Sequence, residues 1–211
     1  MLGDRSETAL AQVHAEINLC RVCHELFPKL KKPDSMDRGG PSGIAVIGEA
    51  PGNTEVGTKQ SFSGAAGKRL MEWLDLCGIA SPRSEVYFTS AVKCHSSNKS
   101  HLKQMADTCQ FFLQRQLSTI SPAVVISVGE LAYHHIRADD VGYPERLNTV
   151  YQTSEVSLLT KFNYHYWHVV WPHPSPLNRQ LNDPLVKVDL AACCEKVKAL
   201  LNHLKTRTKE H

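Results

Sequence analysis

The chain has 211 residues, 42% of them hydrophobic, which suits one substantial core and sits near the upper size for a single domain. Its formal net charge of +3 is too small to identify a nucleic-acid-binding protein, because basic patches act by clustering. No run approaches the roughly 18 apolar residues of a membrane helix, and Met1-Leu2-Gly3-Asp4-Arg5-Ser6-Glu7 has no apolar signal core, so one soluble, cytoplasmic domain over residues 1–211 is expected, without a membrane partner.

In chain order, a helix is expected near Glu7–Leu19, followed by Cys20-Arg21-Val22-Cys23 within the N-terminal segment 1–40. That C-x2-C spacing lets two thiolates reach one metal centre from a single turn. The block Lys29-Leu30-Lys31-Lys32 reads as ordinary solvated charge or as a weak nucleic-acid signal. A strand at Ile44–Ile47 then runs into Gly48-Glu49-Ala50-Pro51-Gly52-Asn53-Thr54-Glu55. Leu70, Trp73, Leu74 and Cys77 form an apolar stripe on a helix at Ala65–Cys77. A second strand covers Val86–Ser90, and a helix over His101–Leu117 follows Cys94. Ala123–Val128 reads as a strand and Glu130–Arg137 as a helix. The polar, aromatic and turn residues of Ala138–Tyr166 suit either a hairpin or an ordered excursion. The last strand, His168–Trp171, leads into His173-Pro174-Ser175-Pro176-Leu177-Asn178, and a final helix runs from about Pro184 to Leu204.

This βα alternation predicts an α/β fold of three layers, α/β/α, around a central four-stranded parallel sheet. Both distinctive runs leave strands, so both emerge at the carboxyl edge of the sheet, where open α/β folds hold ligands. A carboxylate, Glu49, and an imidazole, His173, are thereby expected to face one crevice. Gly48 and Gly52 let the backbone turn tightly and approach a ligand closely.

Seven cysteines without a secretory signal argue against a disulfide framework and for metal ligation or buried thiols. Cys77 and Cys193 fall on apolar helix faces, the latter with Val186, Leu190 and Val197, and are expected in the core. Cys194 lies beside that face and reads as a spare thiol. A four-thiolate site fits zinc and an iron–sulfur cluster equally well.

On the Gly48–Glu55 and His173–Asn178 runs, the chain resembles the uracil-DNA glycosylase superfamily, in particular its iron–sulfur branch, families four and five. Family four opens with Gly-Glu-Ala-Pro-Gly-x-x-Glu and continues with Gly-x-Pro-Phe-x-Gly-x-Ala-Gly. Here the second stretch is Gly57-Thr58-Lys59-Gln60-Ser61-Phe62-Ser63-Gly64-Ala65-Ala66-Gly67, lacking the proline and carrying two extra residues before Phe62. The His173 run looks more like family five. The resemblance covers roughly residues 16 to 204.

The resemblance implies a [4Fe–4S] cluster of structural role held by Cys20, Cys23, Cys94 and Cys109, since the 14 residues between the last two match the family-four spacing. It places the active carboxylate at Glu49, with Glu55 as second choice or loop cap, and gives His173 the role of donor to the departing uracil. Gly48, Ala50, Gly52, Glu55, Phe62 and Ser90 are the implied substrate-binding set, with the Phe62 ring against the extruded base. Ser175, Pro176, Leu177, Asn178 and Arg179 are the implied DNA contacts, Leu177 as an apolar wedge. Family four has asparagine where Thr89-Ser90-Ala91-Val92-Lys93-Cys94 carries Ser90, and this departure points to a substrate range extending to hypoxanthine and other deaminated bases. His101, in the loop His95–His101, corresponds to the general region of a histidine that one branch uses to trap the abasic sugar covalently, although that branch's flanking Lys-Arg-Arg-Ile run is absent.

The expectation is a monofunctional, monomeric base-excision glycosylase of the bacterial or archaeal cytosol, acting on DNA that contains uracil or another deaminated base. A damaged-base binding or trapping protein with little turnover is the alternative, and an iron–sulfur electron-transfer protein is a third class. The G-x4-G-K-[ST] run that cradles nucleotide phosphates does not occur.

Overall fold

A computed structural model describes residues 2–27, 29–31, 36, 38–39, 42–137, 140–153 and 164–207. The first half contains α1 (Leu2–Leu19), α2 (Val22–Leu26), β1 (Ile44–Gly48), α3 (Asn53–Thr58), α4 (Ala65–Leu76), α5 (Pro82–Glu85) and β2 (Tyr87–Ser90). The second half adds α6 (Leu102–Ile120), β3 (Val124–Val128), α7 (Glu130–Ile136), α8 (Tyr143–Arg146), β4 (Thr149–Gln152), β5 (Trp167–Trp171) and α9 (Pro184–Arg207).

Side chains alternate between the two faces of a strand, and that period sorts the core into two apolar layers. Val46, Phe88, Ile126 and Val169 face α4 and α9, where Leu70, Trp73, Leu74, Leu190 and Val197 complete the layer. Ala45, Ile47, Tyr87 and Val125 face the opposite way, against Leu10 of α1, Leu113 and Leu117 of α6 and Ala132 of α7. The result is the expected three-layer α/β/α architecture. Cys77 and Cys193 lie in the first layer as expected. Cys194 does too: it is 1% exposed and its thiol donates to the Trp73 carbonyl at 3.8 Å, so it is a packed core residue rather than a spare thiol.

The strand order is β2-β1-β3-β5-β4. Neighbours β1–β2, β1–β3 and β3–β5 are parallel, and β4 pairs antiparallel with β5, Val150 opposite Val169. The sheet thus has a fifth strand beyond the four expected, formed by Thr149–Gln152 in the stretch whose structure the sequence left open. As an edge strand it needs no continuous apolar run, so its polar composition hid it. Residues 154–163 of that stretch lie outside the described residues.

From β1 the chain moves outward to β2 and then returns to β3 on the other side of β1. That reversal separates the connections leaving β1 and β3, and the crevice it opens at their carboxyl ends is where such sheets receive ligands.

Candidate active site and cysteine centre

A cavity of about 320 Å³ lies at this point. Gly48 lines it from the end of β1, Glu49, Ala50 and Gly52 from the loop that follows, Phe62 from the turn before α4, Ser90 from the end of β2, and His173, Ser175 and Leu177 from the loop after β5. Both expected catalytic residues therefore share one crevice. Glu49 and His173 also line an adjoining cavity of about 340 Å³, together with Leu177, Asn178 and Arg179. The Glu49 carboxylate lies over the end of β3, close enough that a Cβ on Gly129 would come within 2.8 Å of Oε1.

The geometry of the His173 loop settles the imidazole's proton. Ser175 N–H donates to His173 Nδ1 at 3.2 Å, so Nδ1 accepts and the neutral ring carries its proton on Nε2. Burial pulls the His173 pKa below the ordinary imidazole value; Glu49 opposes the shift and Lys99 reinforces it. Asn178 braces the same loop, its Nδ2 donating to His173 O at 2.9 Å and its Oδ1 accepting from Gln180 N–H at 3.1 Å. Its amide is thus engaged inside the loop. Arg69 of α4 donates to Pro174 O at 3.3 Å. Leu177 is 87% exposed, an apolar side chain projecting from a braced loop. Pro176 and Arg179 are exposed on the same surface.

Glu55 lines the main cavity, but Gly64 N–H, at the N-terminus of α4, donates to its Oε1 at 2.9 Å. That bond caps the first turn of α4, the loop-capping arrangement among the roles expected for Glu55. The Ser90 hydroxyl donates to Val92 O at 2.6 Å, leaving Oγ as an acceptor only. His101 does not line either cavity: its ring stacks on Phe27 at 4.3 Å and receives a hydrogen bond at Nε2 from Asn98 Nδ2 at 3.0 Å. Of the basic block, Lys31 Nζ donates to Asn53 Oδ1 at 3.1 Å, and Lys32 lies outside the described residues.

The cavity also contains residues that the sequence did not single out. Arg38, Lys93, His95 and Lys99 line it. Lys93 is 4% exposed and donates to Thr89 Oγ1 at 3.0 Å and Gln116 Oε1 at 2.8 Å, and burial pulls its pKa down to about 7. His95 Nδ1–H donates to Pro51 O at 2.9 Å, tying the segment after β2 to the loop after β1. Lys93 had one available signal, its place beside Cys94; the inward position of Arg38 has no local signature.

Beside this cavity, Cys20, Cys23, Cys94 and Cys109 line a third one of about 200 Å³. They come from the end of α1, from α2, from the segment after β2 and from α6, and none of the seven cysteines forms a disulfide. Burial, then the neighbouring Cys109 and Cys20 thiols, push the Cys23 pKa up. His24 also lines this cavity, and its buried Nε2 has no hydrogen-bond partner among the described residues. Four thiols around a common space, with an unmatched ring nitrogen at its wall, fit a sulfur-rich cluster. Among the described residues no three His, Cys, Asp or Glu side chains converge closely enough to hold a single metal ion. No described helix is long and apolar enough to cross a membrane.

The model of the uracil DNA glycosylase superfamily matches residues 38–204. A type-4 uracil-DNA glycosylase of Archaeoglobus fulgidus is 37% identical over 94 residues, 44% of this chain and 46% of that protein. One of Thermotoga maritima is 36% identical over 90 residues, 42% of this chain and 46% of the relative. One of Pyrobaculum aerophilum is 33% identical over 88 residues, 41% of this chain and 44% of the relative. The chain spans a little under half the length of these curated relatives.

Proposed function

We propose that this chain, which belongs to the uracil DNA glycosylase superfamily, is a monofunctional type-4-like glycosylase that hydrolyses the N-glycosidic bond of uracil in DNA as a single domain of the cytosol. The observation that carries the reading is the meeting of Glu49 and His173 in one cavity with Phe62 and Ser90.

Breaking the bond leaves an oxocarbenium-like sugar and an anionic base. His173, neutral and protonated on Nε2, is suited to donate to the carbonyl oxygen on which the leaving base gathers charge, an effect worth about 10²–10³ in rate for one such donor. Its Nδ1 is already satisfied by the Ser175 amide, so the ring needs no reorientation as charge develops. Glu49 orients the attacking water and stabilises the cationic sugar. The buried guanidinium of Arg38 favours a departing anion, because its field is weakly screened away from water, whereas Lys93, with a pKa pulled down to about 7, carries only part of a charge at neutral pH.

The base must leave the duplex, at a cost of a few kcal/mol. Phe62 supplies a stacking face for it, and Leu177 occupies the gap it vacates. Ser90, an acceptor only, suits the ring N–H of a deaminated base: uracil N3–H and hypoxanthine N1–H are donors where cytosine N3 and adenine N1 are acceptors. The proposed range therefore includes deaminated purines.

Cys20, Cys23, Cys94 and Cys109 are the proposed ligands of a [4Fe–4S] cluster, which would cross-link the N-terminal segment to the segments after β2 and in α6. That these four thiols line one cavity supports a shared centre, and the family resemblance favours a cluster over zinc there. Covalent trapping is disfavoured, since the His101 ring is stacked on Phe27 away from the base cavity.

The test is multiple-turnover release of free base from oligonucleotides carrying uracil, hypoxanthine or xanthine, read by alkaline cleavage at the abasic sites. Glu49→Gln and His173→Gln are each expected to lose about 10²–10³ in rate while retaining the fold and DNA binding. Full activity in both would remove their assigned roles; a single turnover followed by a denaturation-resistant adduct would favour trapping.

A further inference from the structure

Phe62 has a left-handed backbone, φ 53°, which an aromatic residue adopts only under constraint. The conformation is imposed from two sides. On one, the Phe62 peptide presses onto the first turn of α4, where a Cβ on Gly67 would come 1.8 Å from the Phe62 carbonyl oxygen. On the other, Arg83 of α5 donates from Nη1 to Ser61 O and from Nη2 to Phe62 O, the latter at 2.7 Å. One planar guanidinium thereby grips two successive carbonyls. It also stands over the Phe88 ring at 5.3 Å, and Phe88 packs against Phe62 with ring centroids 5.7 Å apart. Arg83 is not among the residues lining the base cavity, whereas Phe62 is.

We infer that Arg83 is a positioning residue for base recognition: its grip on the Ser61 and Phe62 carbonyls holds the Phe62 ring as the stacking wall of the cavity. This rests on the proposed base-release function. Lysine cannot reproduce the grip, because an ammonium is a point donor with no fixed fork. Arg83 does not line the base cavity, so its effect passes through the Ser61–Phe62 turn that it holds.

The test is a double-mutant cycle on the full chain with Arg83→Met, Arg83→Lys, Phe62→Ala and Arg83→Met/Phe62→Ala. Binding is measured to a duplex carrying a non-hydrolysable 2′-fluoro-deoxyuridine, KM and kcat on the uracil duplex, and folding by thermal melting. Arg83→Met is expected to weaken binding and raise KM roughly tenfold, the order of one lost base stack, with a smaller change in kcat. Arg83→Lys should recover little of the loss. In the Phe62→Ala background the Arg83→Met loss should nearly vanish, since the wall it holds is already gone. Equal Arg83→Met losses in both backgrounds, or no loss of binding in a folded Arg83→Met variant, would overturn the inference. A wild-type chain that neither binds nor cleaves uracil DNA overturns the proposed function and this inference with it.

Discussion

The Phe62 ring lies against Gly48, so closely that a methyl group at position 48 would come within 2.7 Å of Phe62 Cζ. The last residue of β1 and the turn before α4 thus jointly shape the base cavity. Gly48→Ala should push the ring into the space intended for the base and reduce base release roughly tenfold, in keeping with loss of a stacking surface. Because the ring is only half-buried, its displacement should change melting little. Steady-state kinetics and thermal melting on the same preparation check both halves.

The pH dependence of base release follows from the His173 loop. Burial, reinforced by Lys99 and opposed by Glu49, holds the His173 pKa below the ordinary 6.5. The active form is the neutral ring, so activity should persist down through pH 6.5 and fall only at lower pH, where protonation of Nδ1 breaks the bond from Ser175 N–H. Lys99→Met removes a charge that lowers this pKa, and its acid limb should move to higher pH. A rate profile in which the acid limb is unmoved would count against the assignment of that limb to His173.

His168 contributes to acid stability instead, as does His14, whose pKa burial lowers to about 4. His168 is fully buried between Ser127 Oγ at 2.9 Å and Tyr151 OH at 2.7 Å, and burial, with Arg146 nearby, lowers its pKa from 6.5 to about 3. Between those values the unfolded chain binds a proton that the folded chain refuses, so this group's contribution to stability declines as pH falls from 6.5 towards 3. Urea unfolding at pH 7 and pH 4.5 should show the decline, and His168→Gln should flatten the difference while lowering stability at pH 7.

Leu177 is a wedge only if it has a duplex to enter. Leu177→Ala should therefore slow release from double-stranded DNA more than from single strands, where no stack has to be held open. Parallel assays on the two substrates test this; equal losses would assign Leu177 to general DNA contact.

Much of the fold was legible locally. The apolar runs before Gly48 and after Tyr166 announced two strands, and the turn residues that follow them marked where the chemistry emerges. The stripe of Leu70, Trp73, Leu74 and Cys77 announced α4 and its buried face. β4 escaped because an edge strand need not be apolar on both sides, and the burial of Cys194 escaped because its place beside the stripe on α9 does not reveal that Trp73 of α4 closes over it.

By itself, the sequence determined the layered α/β class and the two strand-end motifs, because hydrophobic period and turn chemistry are written in neighbouring residues, while the resemblance to a known family picked out the four cysteines that line one cavity. Only the tertiary structure decided that Glu55 caps Gly64, that the Ser175 amide leaves the His173 proton on Nε2, and that Arg83 grips the strained Phe62 turn. Each of these depends on the aim of one polar atom at another, whether across a bend of two residues or between elements far apart in the chain. Residue type and spacing do not encode that aim; it is set when the helices and loops pack against the sheet.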